Sequence, residues 1–206
     1  MKILIIGGNG TIGRKVSQYF KQKHEVIIAG RSGGDIDLDI TSSDSIKKAL
    51  DETGKLDAIV NIAGATKWGD FDDLTEEDYY IGIKSKLMGQ VNLVRIGKNY
   101  LNPKGSITLT TGILADDPVI KTTAAAMVNG AIHSFVKAVD LEMENEIRVN
   151  VVSVGMVEDA YERIKDAFPG HIPVPMNGGC SGLRQKCGRK GKRGDYQKIL
   201  KRIFAD

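Results

Sequence analysis

An α/β domain built on a doubly wound parallel β-sheet flanked by helices is predicted by three observations. Short apolar runs rich in β-branched residues alternate with segments of helix length, the first run passes straight into a glycine-spaced turn, and Gly, Asn, Thr and charged residues recur where the runs end. The chain has 206 residues, enough for one well-buried domain and short for two.

Residues 2–6 read KILII, a run suited to a strand buried on both faces. It enters Gly7-Gly8-Asn9-Gly10-Thr11-Ile12-Gly13. Gly7 lets the chain turn abruptly, Gly10 lets a pyrophosphate approach the backbone, and Gly13 lets the helix over 11–23 pack close to the sheet. That helix offers the unpaired N–H groups of its first turn, at Thr11 and Ile12, and the positive end of its dipole to the phosphates. Residues 24–29 form a second strand that ends in Gly30-Arg31-Ser32. A site for an unmodified ribose carries an acidic residue there. Arg31 inverts that charge, a guanidinium takes a phosphate with paired hydrogen bonds, and Ser32 adds a hydroxyl, so the pattern favours NADP(H) over NAD(H). Arg14, in the first helical turn, either adds charge above the same phosphate or faces solvent.

Residues 35–41 give a short third strand and turn, and the helix over 43–53 starts behind hydroxyl and acidic caps. The fourth strand covers 56–60 and ends in Asn61-Ile62-Ala63-Gly64. A long helical region spans 75–100 with a break near Gly82; a fifth strand covers 106–111, a second long helix 122–144, and a sixth strand 147–153. The arrangement is Rossmann-like. Ligands in such sheets sit beyond the carboxyl ends of the strands, where Gly7 to Gly13, Arg31, Asp39, Asn61 to Gly64, Thr110 to Gly112 and Ser153 to Gly155 all fall.

The longest apolar runs fall well short of a membrane span, and because the first strand starts at once no secretory leader is expected. The two cysteines, Cys180 and Cys187, both lie in the last 30 residues, so a reducing cytoplasm is expected. The net charge of +3 is unevenly placed: residues 178–206 carry +7 and the rest −4. Three scattered histidines make no metal-ligand pattern, and no metal site is expected.

These motifs resemble the short-chain dehydrogenase/reductase family from residue 1 to about 175. The resemblance rests on Gly7, Gly10 and Gly13, on Asp39 as the adenine-side acid, on Asn61-Ile62-Ala63-Gly64 for the family's Asn-Asn-Ala-Gly, and on Arg148-Val149-Asn150 followed by Val154-Gly155, with Val154 in place of Pro. It implies NADP(H)-dependent hydride exchange with a small carbonyl or alcohol substrate, and a homo-oligomer formed through the two long helices. It also implies cofactor contacts from Gly7, Gly10, Thr11, Ile12, Gly13, Arg31, Ser32, Asp39, Asn61, Ala63, Gly64 and Asn129. The family's Tyr-x-x-x-Lys pair is missing: the resemblance places Ala125 at the tyrosine and Asn129 at the lysine. Thr111, or Thr110, takes the hydroxyl position. Lys86 falls near the family's supporting asparagine, with Lys84 or Ser85 as alternates; it is read either as a replacement acid or cation, or as a solvated lysine. Trp68 and Phe71 wall the substrate pocket or plug the core, His133 faces the sheet or a partner, and Tyr161 lies where the family has a lid. The alternative to an oxidoreductase is a non-catalytic NADP(H) sensor or scaffold that kept the cleft after losing the acid.

The division expected is a dinucleotide-binding domain over 1–177 and a basic, Gly-rich tail over 178–206 that is no independent domain. Where the family has a last helix and a seventh strand, residues 184–193 are too charged for a buried strand, so the seventh strand is expected to be absent or replaced. Residues 196–204 suggest a short basic helix. The tail reads either as an aberrant end, as after a frame shift near Asn177, or as a basic arm; its few aromatic residues argue against nucleic-acid binding.

Overall fold

The computed structural model describes residues 1–168 and 170–173, and the backbone of 184–186. Six strands run parallel: β1 (Lys2–Ile6), β2 (Glu25–Gly30), β3 (Ile36–Asp37), β4 (Leu56–Asn61), β5 (Leu101–Gly112) and β6 (Arg148–Val154). Their order is β3-β2-β1-β4-β5-β6, which reverses direction between β1 and β4 and opens a crevice at the carboxyl ends there. KILII becomes β1, with Ile3, Leu4 and Ile5 fully buried, as a central strand covered on both faces requires.

Helices α1 (Thr11–Lys21) and α2 (Ser43–Thr53) follow β1 and β3. The Ser42 hydroxyl caps α2 by accepting from Ser45 N–H. The helical region after β4 is three pieces: α3 (Glu76–Gly82), a π turn (Ile83–Met88) and α4 (Gly89–Gly97). A Thr75/Asp78 capping box starts α3, and the break expected near Gly82 is where the wider turn begins. Helix α5 (Thr123–Val139) ends earlier than its sequence pattern suggests, passing into a 3₁₀ turn, Asp140–Glu142. The third strand shrinks to two residues because Asp39 turns the chain, accepting from Thr41 N–H and Oγ1 at 2.9 and 2.8 Å. β5 starts five residues early, across a register shift between Leu56 and Ala58.

Two apolar layers form the core. Helices α2, α4 and α5 cover one face through Leu50, Leu93, Ile132 and Val136, and α1 covers the other through Phe20. Among the described residues there is no parallel seventh strand, as the charge of 184–193 leads one to expect; in its place β7 (Arg184–Lys186) pairs antiparallel with β6 at the sheet edge. An edge strand accepts charged residue types that a central strand excludes. Short helix α6 (Glu158–Ile164) precedes it. The 177/178 boundary, both cysteines and the expected helix over 196–204 lie outside the described residues. Among the described residues, no helix is long and apolar enough to cross a membrane.

Candidate active site

The phosphate end is built by one turn. Gly7 has φ +81°, its N–H donates to Ala29 O at 2.8 Å, and Gly10 N–H returns to Gly7 O at 3.1 Å. A Cβ on Gly13 would stand 2.0 Å from Gly7 O, so only glycine lets α1 lie this close to the turn. Gly10 caps α1 without a side chain, which leaves the first-turn N–H groups, Thr11 and Ile12 among them, for a ligand. Two details were not foreseen: Asn9 Nδ2 donates to Gly33 O, joining this turn to the loop after β2, and Arg14 is spent on Asn9 O at 3.1 Å.

The turn opens on a cleft of about 370 Å³ lined by Gly7, Gly10, Arg31, Ser32, Asp39, Ala63 and Gly64, seven of the residues the sequence selects. Arg31 is exposed and has no hydrogen bond or ion pair among the described residues, so its guanidinium is available to a phosphate. The Thr41 hydrogen bonds chiefly, with the positive charge of Arg31 adding to them, hold Asp39 below the usual carboxylate range. Asn61 is buried: Nδ2 donates to Ala63 O at 2.9 Å, shaping the end of β4 from behind, and Oδ1 has no partner.

The π turn fixes the far end. Ser85, with Lys84 an alternate to Lys86 for the supporting asparagine, is the one of the three that lines the cleft, and it accepts from Ala65 N–H at 3.0 Å. The stem of Lys86 presses on Gly64, where a Cβ would come within 3.1 Å of Lys86 Cγ. Lys86 has no ion pair or hydrogen bond among the described residues, and desolvation alone lowers its pKa to about 8. The residue is half-buried and lies outside the 370 Å³ cavity. A π turn rotates the residues after it relative to an α-helix, and such turns are frequent at functional sites.

Helix α5 turns Ala125, Asn129 and His133, spaced by four, toward the sheet. Ala125 closes an apolar cluster with Leu114, Met156 and Phe168, so no proton donor stands at that position. Asn129 is 3% exposed; its Nδ2 lies 3.4 Å from where a Gly112 Cβ would be, and its Oδ1 is buried without a partner. Thr111 and His133 are both buried, with Thr111 Oγ1 and His133 Nε2 2.7 Å apart. The Thr111 hydroxyl is therefore engaged under α5. The buried Gln90 pins the end of β5 by exchanging hydrogen bonds with Thr110 N–H and C=O at 3.1 and 3.2 Å. Its signal in the sequence is a lone amide on an apolar helix face. Trp68 and Phe71 are exposed, so neither plugs the core. Tyr161 packs beside the Ala125 cluster, and Tyr79 Oη meets Thr123 Oγ1 at 2.9 Å. Among the described residues, no three His, Cys, Asp or Glu side chains group to hold a metal.

A free basic side chain, a glycine cradle, uncapped helix N–H groups and the orphaned Asn129 amide oxygen all fit a phosphorylated dinucleotide. The family model described as enoyl-(acyl carrier protein) reductase matches residues 13–173. The chain is similar to the protein lin1944 from Listeria innocua, with 46% identity over 85% of this chain and 88% of that one, at a TM-score of 0.84. A small-chain dehydrogenase solved in complex with NADPH is 27% identical over 85% of each chain, with a TM-score of 0.75. The 2,3-dihydro-2,3-dihydroxybenzoate dehydrogenase of Escherichia coli is 31% identical over 120 residues, 57% of this chain. The chain spans 48% of that curated relative and 63% of general stress protein 39 of Bacillus subtilis.

Proposed function

Since the chain belongs to the short-chain dehydrogenase/reductase family, we propose that it is an NADP(H)-dependent oxidoreductase interconverting a small carbonyl compound and its alcohol. The observation that carries the reading is Arg31, free at the end of β2 in the same cleft as the Gly7–Gly13 turn. The NADPH complex of a similar small-chain dehydrogenase supports it. Residues Gly7, Gly10, Thr11, Ile12 and Gly13 hold the pyrophosphate, Arg31 and Ser32 the 2′-phosphate, Asp39 the adenosine side, and Asn61, Ala63, Gly64 and Asn129 the nicotinamide riboside. The dinucleotide supplies the hydride when bound.

The chain itself must supply the proton. Ala125 has none, and general acid–base catalysis is worth about 10²- to 10⁴-fold in rate. Lys86 takes that part: its desolvated ammonium releases a proton near neutral pH, and no carboxylate competes for it. Thr111, its hydroxyl already oriented by His133, supports the substrate oxygen. Titration of the full chain with NADPH and, as the matched comparison, NADH tests the cofactor reading; turnover of a carbonyl panel that falls about 10²- to 10⁴-fold in Lys86→Ala tests the acid.

The apolar cluster around Ala125 favours a second reading, a non-catalytic NADP(H) sensor or scaffold. Tight NADPH binding without turnover across the panel would select it. The reading includes a cytoplasmic location and a homo-oligomer, the latter supported by Tyr80, Ile81, Met88 and Met127 exposed on the two long helical segments and tested by sedimentation.

A further inference from the structure

Three segments leave the carboxyl ends of adjacent strands: residues 62–75 after β4, 113–122 after β5, and 155–168 with 170–171 after β6. They are tied to one another. Gly69 N–H donates to Lys121 O at 3.1 Å, and Lys121 Nζ meets Asp70 at 2.8 Å. The rings of Trp68 and Phe168 are 6.0 Å apart, and His171 Nε2 lies 3.1 Å from Asp117. Because ligands lie beyond strand ends in such sheets, these loops border the reactive end of the dinucleotide site.

The border is apolar beyond what folding needs. Ile120 is 83% exposed and Phe71 69%, beside a Trp68 that keeps over a third of its surface in water. Leu114, Ala125, Met156 and Phe168 close an apolar cluster beneath. The loops after β4 and β5 carry exposed Asp70, Asp72, Asp73, Asp116 and Asp117 against Lys67 and Lys121. Apolar surface rimmed by polar residues marks a binding site, and a surplus of carboxylates at its mouth repels an anionic ligand. Lys86, its stem against Gly64 just past β4, serves the carbonyl oxygen in the proposed function and leaves the ligand's body to the loops.

We infer that the substrate is an uncharged carbonyl compound with an aromatic or extended aliphatic body, received between Trp68, Phe71 and Ile120, and that carboxylate-bearing carbonyl compounds are rejected at this mouth. This rests on the oxidoreductase reading and specifies its substrate class.

Trp68 is the only tryptophan of the chain, so its fluorescence reports occupancy of the mouth. The full chain with saturating NADP⁺ is titrated with acetophenone and with 4-acetylbenzoate, the same body carrying a carboxylate. Acetophenone is expected to quench Trp68 at about one-tenth of the 4-acetylbenzoate concentration or less, the ratio shrinking at high salt and in the Asp72→Asn/Asp73→Asn double variant. Phe71→Ala combined with Ile120→Ala weakens acetophenone severalfold and leaves NADPH affinity unchanged. Equal affinities for the two ketones, or no saturable quench in a protein that binds NADPH, overturn the inference and leave the cofactor reading standing. Loss of NADPH binding overturns both.

Discussion

Arg31 and Lys86 both lack an anionic partner among the described residues, with opposite physical consequences. Arg31 is exposed and well hydrated, so its charge costs the folded protein little and waits for a phosphate. A charge-assisted hydrogen-bonding group contributes about 1.5–3 kcal/mol. Arg31→Ala is therefore expected to weaken NADPH about ten- to a hundredfold and to leave NADH almost unmoved in parallel fluorescence titrations. Lys86 is desolvated, and its pKa falls to about 8. It is protonated below that value, so the rate of carbonyl reduction is expected to be level below about pH 8 and to fall above it, and Lys86→Met removes this limb from the pH profile. Stability changes in the other sense. The unfolded chain keeps the lysine proton up to its ordinary value of 10.5, so between about 8 and 10.5 the unfolded state binds more protons and folding becomes more favourable as pH rises. Denaturant unfolding at pH 7.5 and 10, with the Lys86→Met curves subtracted, should show that rise; an equal difference at both pH values would remove burial as the cause.

At the scale of elements, the glycine turn and the π turn form the two ends of the site, and only one could be read beforehand. The turn is dictated locally, since a Cβ on Gly13 would meet Gly7 O at 2.0 Å. Gly13→Ala must push α1 off the turn, at a cost of about 1–3 kcal/mol in stability. NADPH affinity is expected to drop at least about a hundredfold as the helix N–H groups move away; thermal melts and titration of one preparation check both. KILII, the Gly spacing and Arg31 were legible because each acts within a few residues of itself. The π turn was not, because its extra residue per turn falls within the tolerance of a 3.6-residue pattern, and only Gly82 hinted at a break. The pairing of Thr111 with His133 depends on how α5 is set along β5, a tertiary register that no local pattern encodes. The short third strand and its turn were legible; that only two residues pair follows from Asp39 spending its carboxylate on Thr41. The charge of residues 184–193 rules out a buried strand in advance but leaves the sheet edge open, and there residues 184–186 pair.

Across the whole molecule, one contact joins the cofactor half to the segment that borders the substrate. Lys15, a turn into α1 beyond the phosphate loop, meets Asp159 of α6 at 2.7 Å, spanning 144 positions of sequence. Both side chains keep about a third of their surface in water, so the pair is screened and worth about 0.2–1 kcal/mol, or up to about fivefold in a rate or an equilibrium. Its leverage comes from position. α1 carries the N–H groups for the pyrophosphate, and α6 follows β6 beside Met156 and Phe168, which pack under the mouth at Trp68. Holding α6 against α1 keeps residues 155–168 in place while a dinucleotide is bound, so breaking the pair should open its exit without changing the phosphate contacts. Asp159→Asn is accordingly expected to speed NADPH release two- to fivefold at low salt in stopped-flow displacement, with association almost unchanged. The two proteins should converge as ionic strength rises and the wild-type pair is screened. Release rates equal to wild type at low salt would show that α6 does not control cofactor exit, and a difference that persists at high salt would mean that Asp159 acts through packing instead of charge.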